Sequence, residues 1–149
     1  MIIRKATAKD LDNGLFEAFR QGYRFHEKAR PDFFQNFSDE ELLNILVKNL
    51  NDEEKTTLVV EENNYIVAYA VYRFKVRATT AIYVDEIIVN ENYRGKKYGE
   101  QLMEYIEQIG KDHNCSRVDL DCWTFNTRGL HFYEKNGYTS QRTLFEKNL

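Results

Sequence analysis

The spacing of apolar residues predicts a short strand and two helices in the first third of the chain. Ile2 and Ile3 indicate the strand, and Thr7 to Asp10 has the form of an acidic helix cap. Apolar residues three and four apart then predict a helix from about Leu11 to Tyr23. Pro31 interrupts any helix near Arg30, and a full capping box at Ser38–Glu41 predicts the start of the second helix.

The middle of the chain changes to β-branched and apolar runs, which predict three consecutive strands. The first two runs are 56–62 and 65–76, and Asn63 and Asn64 form a turn between them. A third run covers Ala81 to Val89. Because the connections are short, we expect an antiparallel meander.

Helical spacing returns after Val89, so the last third should alternate helices and strands. A helix is predicted from about Gly99 to Gly110, followed by a strand from Arg117 to Trp123 that completes a βαβ crossover. Asn126 is placed to cap a helix from Thr127 to Lys135, and Tyr138 to Glu146 is predicted as a final strand. With no repeat and no linker, residues 1–149 are expected to form one α/β or α+β domain.

Composition and charge narrow the classes of partner. The 149 residues carry a formal net charge of −3 and a pI near 5.7, whereas nucleic-acid-binding domains usually have a pI above roughly 9. No apolar run approaches the roughly 20 residues that cross a membrane. We therefore expect no nucleic-acid partner, no membrane partner and a cytoplasmic location. Cys115 and Cys122 are too few for a disulfide framework and lack metal-ligand spacing, so no metal is expected.

A basic glycine turn between the third strand and its helix predicts an anion site. The turn runs from Arg94 to Gly99, and unpaired N–H groups and the positive end of the helix dipole meet there. Arg94, Lys96 and Lys97 add positive charge. The turn matches neither the dinucleotide fingerprint nor the P-loop. A solvated surface turn and a nucleotide or nucleic-acid phosphate site are its alternative interpretations.

A second segment, N126-T-R-G-L-H-F-Y-E-K-N-G-Y138, follows about thirty residues after Arg94. The two segments in this order resemble the Gcn5-related N-acetyltransferase (GNAT) superfamily. That resemblance implies a mixed, largely antiparallel sheet with a splayed central strand and helices on both faces. Lys97 stands where the family usually has its middle glycine, and Gly129 stands in for a small alanine.

The resemblance also implies where acetyl-CoA, the expected co-substrate, binds. The splayed strand would be Asp85 to Val89, with its exposed backbone bonded to the pantetheine arm, and the glycine turn would hold the pyrophosphate. Asn126 would lie beside the pantetheine or sulfur end. The implied cofactor-binding residues are Ile87, Ile88, Val89, Arg94, Gly95, Lys96, Lys97, Tyr98, Gly99 and Asn126.

Two kinds of catalytic group are expected for transfer to an amine. Tyr133 matches the family's usual general acid and would protonate the leaving thiolate. A base must first remove a proton from the amine, and Asp85 and Glu86 are the nearest carboxylates. Strand alternation places these two on opposite faces, and we favour Glu86. The alternatives are solvated strand carboxylates and, for Tyr133, a core aromatic.

The irregular stretch after the first helix is expected to form one wall of the acceptor site. Its aromatic and acidic residues would suit an amine through stacking or cation–π contact, although packing alone also explains them. The residues predicted to contact the acceptor are Tyr23, His26, Glu27, Phe33, Phe34, Asp85 and Trp123.

These residues predict an N-acetyltransferase that moves an acetyl group to a primary amine in a ternary complex, with no covalent acyl-enzyme. The alternative is a non-catalytic acyl-CoA-binding sensor or regulatory module. Polyamines, aminoglycosides, amino acids and protein amines all stay open as acceptors, because fold does not fix substrate. A homodimer through the last strand is a further expectation, although its charged residues can equally protect the edge.

Overall fold

Five strands form one sheet in the order in which they occur along the chain. The computed structural model describes all residues, 1–149. The strands are β1 (Ile2–Lys5), β2 (Thr56–Glu62), β3 (Tyr65–Val76), β4 (Thr80–Val89) and β5 (Arg117–Leu120). Strands β1 to β4 are antiparallel neighbours, and β5 pairs with β4 in parallel. The predicted meander, the βαβ crossover and the mixed, largely antiparallel sheet are confirmed.

Four helices cover both faces of this sheet. They are α1 (Phe16–Ala29), α2 (Asp39–Leu50), α3 (Tyr98–Asp112) and α4 (Thr127–Lys135). One core cluster joins the sheet to α1 and α2 and contains Leu42 and Leu46, while the other joins it to α3 and contains Leu102 and Met103. Helix α4 adds Phe132 to the α3 side. No helix of the chain is both long and apolar enough to span a membrane.

The two capping predictions in polar connections are confirmed. In the Ser38 box, the Glu41 N–H donates to the Ser38 hydroxyl at 3.1 Å and the Ser38 N–H donates to the Glu41 carboxylate at 3.2 Å. The Asn126 side chain accepts a bond from the Gly129 N–H at 3.0 Å. Each bond satisfies an N–H group that the first turn of a helix leaves without a partner.

The first helix starts later than its apolar stripe predicts. A 3₁₀ turn at Ala8–Asp10 and a π turn at Leu11–Leu15 precede α1. Gly14 interrupts the helical backbone there with φ of +106°, and a Cβ at this position would lie 2.4 Å from the carbonyl oxygen of Ile66. The chain therefore turns sharply against β3 before α1 begins.

The predicted final strand from Tyr138 to Glu146 is wrong. No regular structure follows α4. Tyr138 packs against the α3 side of the core, but Leu144 and Phe145 are 94% and 88% exposed. Alternating residues form a strand only where a neighbouring strand and a buried face receive them, and this segment has neither.

Strand β5 is also shorter than predicted, and this shapes the centre of the sheet. It ends at Leu120 instead of Trp123, opposite Val84 of β4. From Asp85 to Val89, β4 therefore pairs only with β3. Its second edge is left without a strand partner along the segment predicted to be splayed.

A β-bulge at Asp85 corrects the prediction that Asp85 and Glu86 point to opposite faces. Val71 pairs with Glu86 and the next residue, Tyr72, pairs with Val84, so Asp85 is the extra residue. A bulge resets the side-chain alternation. Glu86 bonds to Tyr69 of the α1 side, and Asp85 pairs with Arg73, whose guanidinium lies over the Tyr83 ring. Both carboxylates thus lie on the face covered by α1.

Lys97, the N-cap residue of α3, has a left-handed backbone with φ of +67° and ψ of 16°. That conformation costs a residue with a Cβ roughly 1–2 kcal/mol. The turn thus needs a conformation that glycine adopts freely, and Lys97 adopts it under strain.

We expect Lys97→Gly to raise the free energy of unfolding by about 0.5–1 kcal/mol, because the strain removed exceeds the extra freedom that glycine gives the unfolded chain. Gly95→Ala is the matched control. Gly95 has φ of +80° and open space around it, so this change should lower stability by about 1 kcal/mol or more. Urea denaturation measures both values, and a destabilised Lys97→Gly variant would contradict the interpretation.

Candidate active site

The unpaired edge of β4 leads directly to the N-terminus of α3. After Val89, a 3₁₀ turn at Glu91–Tyr93 and the glycine turn connect the two elements. The bond from the Gln101 N–H to the Lys97 carbonyl closes the first helical turn. The N–H groups of Tyr98, Gly99 and Glu100 thus have no carbonyl partner in the helix. Free backbone groups therefore lie on either side of this connection, along β4 from Asp85 to Val89 and at the α3 N-terminus, while the N–H groups of residues 90–93 between them are bonded within the protein.

The surroundings of the α3 N-terminus are positively charged. Arg94, Lys96 and Lys97 are exposed, and none of them forms an ion pair with a carboxylate. Partial burial and the charge of Arg128 both lower the pKa of Arg94. Arg128 lies in the first turn of α4, and the motif alone does not single it out. Two guanidinium groups that repel one another favour an anion between them.

The glycines of the turn serve different purposes. Gly95 has a positive φ in open space, whereas a Cβ on Gly99 would lie 3.2 Å from the Phe132 ring and 3.6 Å from Val89. Gly99 therefore lets α4 pack closely over the start of α3. Tyr98 is buried, and its hydroxyl donates to Glu62 at 3.3 Å. Any role of Tyr98 or Gly99 in binding an anion must come from the backbone N–H.

The three predicted pantetheine residues differ in where their side chains lie. Ile87 and Val89 pack against the α3 side of the core, while Ile88 packs against the α1 side. Only their backbone edge is free for a ligand. Asn126 uses its carbonyl oxygen to cap α4, which leaves its amide NH₂ without a partner in the protein.

Tyr133 lies half-buried on α4, between the rings of Phe132 and Tyr138, with centroids 5.3 and 6.0 Å away. Its hydroxyl makes no hydrogen bond within the protein. Burial, and secondarily the neighbouring Cys122, raise its pKa well above the ordinary value. The phenol therefore keeps its proton at neutral pH, as a general acid requires.

Glu86 lies on the opposite side of β4 from the core around α3. Its carboxylate accepts a bond from the Tyr69 hydroxyl at 2.9 Å. Burial raises the pKa of Glu86, and the hydrogen bond from Tyr69 lowers it by a smaller amount. The charge of Asp85 raises this pKa further, and the charge of Lys55 lowers it. A carboxylate with a raised pKa is a better proton acceptor near neutral pH. Alternation along β3 places Tyr69 here once the register is known, but the sequence alone did not identify it.

Aromatic rings from α1, from the segment after α1 and from the segment after β5 form one cluster. Phe34 is at its centre, with ring centroids 5.8 Å from Tyr23, 5.4 Å from His26 and 5.9 Å from Trp123. Phe33 lies 4.9 Å from Trp123. The structure thus brings together five of the residues predicted to contact the acceptor.

The two acidic residues of that prediction lie outside the aromatic cluster. Glu27 pairs with Arg24 at 3.2 Å, and Asp85 belongs to the carboxylate pair on β4. Two rings that were not predicted, those of Phe25 and Phe125, lie beside the His26 ring, with centroids 5.3 and 5.5 Å away. The roles of all these residues in binding stay predictions.

No three or more His, Cys, Asp and Glu side chains are placed to hold a metal ion. Cys115 and Cys122 are both free and half-buried. Burial raises the pKa of the Cys122 thiol, which disfavours the thiolate that nucleophilic chemistry needs.

Solved structures and curated proteins share this architecture. A mutant of the BH1408 protein from Bacillus halodurans superposes with a TM-score of 0.89 over 100% of this chain and 99% of that chain, at 29% identity. Glucosamine 6-phosphate N-acetyltransferase from Arabidopsis thaliana is 23% identical over 97% of this chain and 94% of its own length, and its structure superposes with a TM-score of 0.69.

Glucosamine 6-phosphate N-acetyltransferase 1 from Dictyostelium discoideum is 40% identical over 53 residues, which is 36% of this chain. The match spans 32% of the length of that relative. The model of the Acetyltransferase (GNAT) family matches residues 21–138, which include the β4 edge, the glycine turn and Tyr133. The chain therefore belongs to the Acetyltransferase (GNAT) family.

Proposed function

We propose that this enzyme transfers an acetyl group from acetyl-CoA to a primary amine by direct attack, with both substrates bound together. The open edge of β4, followed along the chain by the α3 N-terminus, supports this proposal most. Free N–H and C=O groups of an extended strand suit the amides of a pantetheine arm, and a positive helix N-terminus suits a pyrophosphate. The alternative of a phosphate site for nucleotides or nucleic acid does not explain the open strand.

Residues on opposite sides of β4 carry out different proton transfers. Bound acetyl-CoA supplies an activated acyl group as a thioester. Glu86 takes one proton from the acceptor's ammonium group, which frees the nitrogen lone pair to form the C–N bond. Tyr133 gives its proton to the sulfur as the C–S bond breaks, and it recovers a proton from the nitrogen that is acylated. The two protons lost by nitrogen thus end on Glu86 and on the CoA thiol.

The acceptor is proposed only as a class. The names of several relatives specify glucosamine 6-phosphate, but identities of 22–23% over most of the chain carry over the fold and not the acceptor. The activity is tested by measuring the release of free thiol while possible acceptors are screened. These are amino sugars and their phosphates, diamines, amino acids and peptides. If none of these amines causes release of free thiol although CoA binds tightly, the result would favour the non-catalytic sensor.

We expect Arg128→Ala to weaken CoA binding roughly 2- to 5-fold, because an exposed cation contributes up to about 1 kcal/mol to the anion site. Isothermal titration calorimetry at low salt measures the loss, which should shrink as salt rises. Arg142→Ala removes an exposed cation from the C-terminal segment and should leave the affinity unchanged. Equal losses of CoA affinity in the two variants would show that Arg128 does not belong to the anion site.

We expect Tyr133→Phe to lower kcat about 10²- to 10⁴-fold while CoA still binds, because the general acid is lost and the ring is kept. Tyr138→Phe is the matched control. The Tyr138 hydroxyl donates to Glu107 at 2.7 Å, so its loss should cost about 1 kcal/mol of stability with little change in turnover. Similar kcat values for the two variants would show that Tyr133 is a packing residue.

We expect Cys122→Ala and Cys115→Ser to retain acetyl transfer, since direct attack forms no acyl-cysteine. Single-turnover thiol release compares each variant with the unmodified enzyme. If Cys122→Ala keeps its fold by circular dichroism but loses transfer, the direct mechanism is wrong.

A further inference from the structure

A row of polar groups crosses three strands beside Glu86. Thr57 of β2 pairs with Val71 of β3, and Val71 pairs with Glu86 of β4. Arg73 is two residues beyond Val71 on the same face, and Asp85 contacts it at 3.1 Å. These side chains therefore lie on the α1 side of the sheet, at the level where β5 ends.

Several atoms of this row are buried without a partner. Thr57 is only 8% exposed, and its hydroxyl has no hydrogen bond. One oxygen of Asp85 is held by Arg73, but the other is buried and unpaired, as is the Nε of Arg73. Buried polar atoms without partners are rare in folded proteins, because each has given up its hydrogen bonds to water without replacement. Such atoms, grouped at a reactive carboxylate, indicate a place for a polar ligand.

The sign of the charge identifies that ligand. Arg73 already binds one oxygen of Asp85, and the unpaired second oxygen belongs to the residue that directly precedes Glu86. A charged N–H donor satisfies such an oxygen best. The amine substrate carries this group, since a primary alkylamine is protonated at neutral pH.

We propose that Asp85 receives the ammonium group of the acceptor and positions its nitrogen for proton transfer to Glu86. This inference depends on the proposed acetyl transfer. The bulge provides the geometry, because it turns two consecutive carboxylates to one face. Arg73 holds one oxygen of Asp85, and Tyr69 holds Glu86. The site consequently selects strongly basic alkylamines over arylamines, which are neutral at pH 7.

Asp85 has a second effect through its charge. Lys55 before β2, Tyr69 of β3 and Asp85 act on Glu86 through their charges or a hydrogen bond. Arg73 of β3 pairs with Asp85, and His26 is the titratable group of α1 at about this level. Helix α1 runs antiparallel to the end of β4, since Gln21 contacts Asn90 and Gly22 lies against Ile88. His26, about 6 Å further along the helix, therefore lies near the level of Glu86. Among these groups, Asp85 is the negative charge that raises the pKa of Glu86.

The test compares Asp85→Asn with Asp119→Asn. Asp119 is a control of the same kind, on β5, paired with Arg117 at 3.0 Å and 22% exposed in its side chain, against 18% for Asp85. With an alkylamine acceptor, Asp85→Asn should raise KM about 10- to 100-fold. It should also move the acidic limb of kcat/KM to lower pH, because Glu86 then loses its proton more easily. Asp119→Asn should change neither.

An Asp85 that acts on Glu86 only through its charge would shift the pH limb and leave KM unchanged, so an unchanged KM in Asp85→Asn overturns the inference. If the unmodified enzyme acetylates no amine, the proposed function itself fails. A measurement on the unmodified enzyme avoids any folding defect of the variant. The alcohol that matches the best amine should inhibit competitively with at least about tenfold weaker binding than an unreactive tertiary ammonium analogue, and equal binding overturns the proposal.

Discussion

The site depends on β4 having a strand neighbour on only one side beyond Val84. Along most of the sheet, backbone groups are paired with other backbone groups, as burial requires. From Asp85 to Val89, β3 satisfies one edge and the end of β5 at Leu120 exposes the other. This exposed edge lies in the middle of the molecule, so a ligand there is covered by helices on both faces. The same opening separates Tyr133, on the α4 side, from Glu86, on the α1 side.

The charges around this opening divide it into two ends. Arg94 and Arg128 repel each other at the α3 N-terminus, whereas Asp85 and Glu86 lie together below α1. Each end thus holds like charges at an energetic cost that a ligand of opposite sign relieves. Under the proposed function, the anionic co-substrate and the cationic acceptor would therefore bind near opposite ends of the open β4 segment.

The sequence predicted most elements because local signals and tertiary partners agree. Helix α4 has the predicted bounds, since the Asn126 cap, the apolar stripe and Gly137 all specify them. The predictions failed where distant residues decide the structure. The delay of α1 depends on the contact of Gly14 with β3, and the final segment lacks a partner strand that its own residues cannot supply.

The same limit applies to the site. The glycine turn and the segment from Asn126 to Tyr138 are local motifs, so their residues were found together. The positions of Asp85 and Glu86 depend on one extra residue against β3, and period-two alternation cannot reveal it. Arg128 lies beside Arg94 only because α4 packs over α3, through the missing Cβ of Gly99.

Gly22 determines where acceptor specificity can change. A Cβ there would lie 2.6 Å from Ile88, so the first half of α1 is fixed to the strand that carries the reacting groups. The rings that follow Gly22 lie on the last turns of α1 and on the loop after it. Under the proposed function, changes in that loop would alter the acceptor while Gly22 keeps α1 at the same distance from β4.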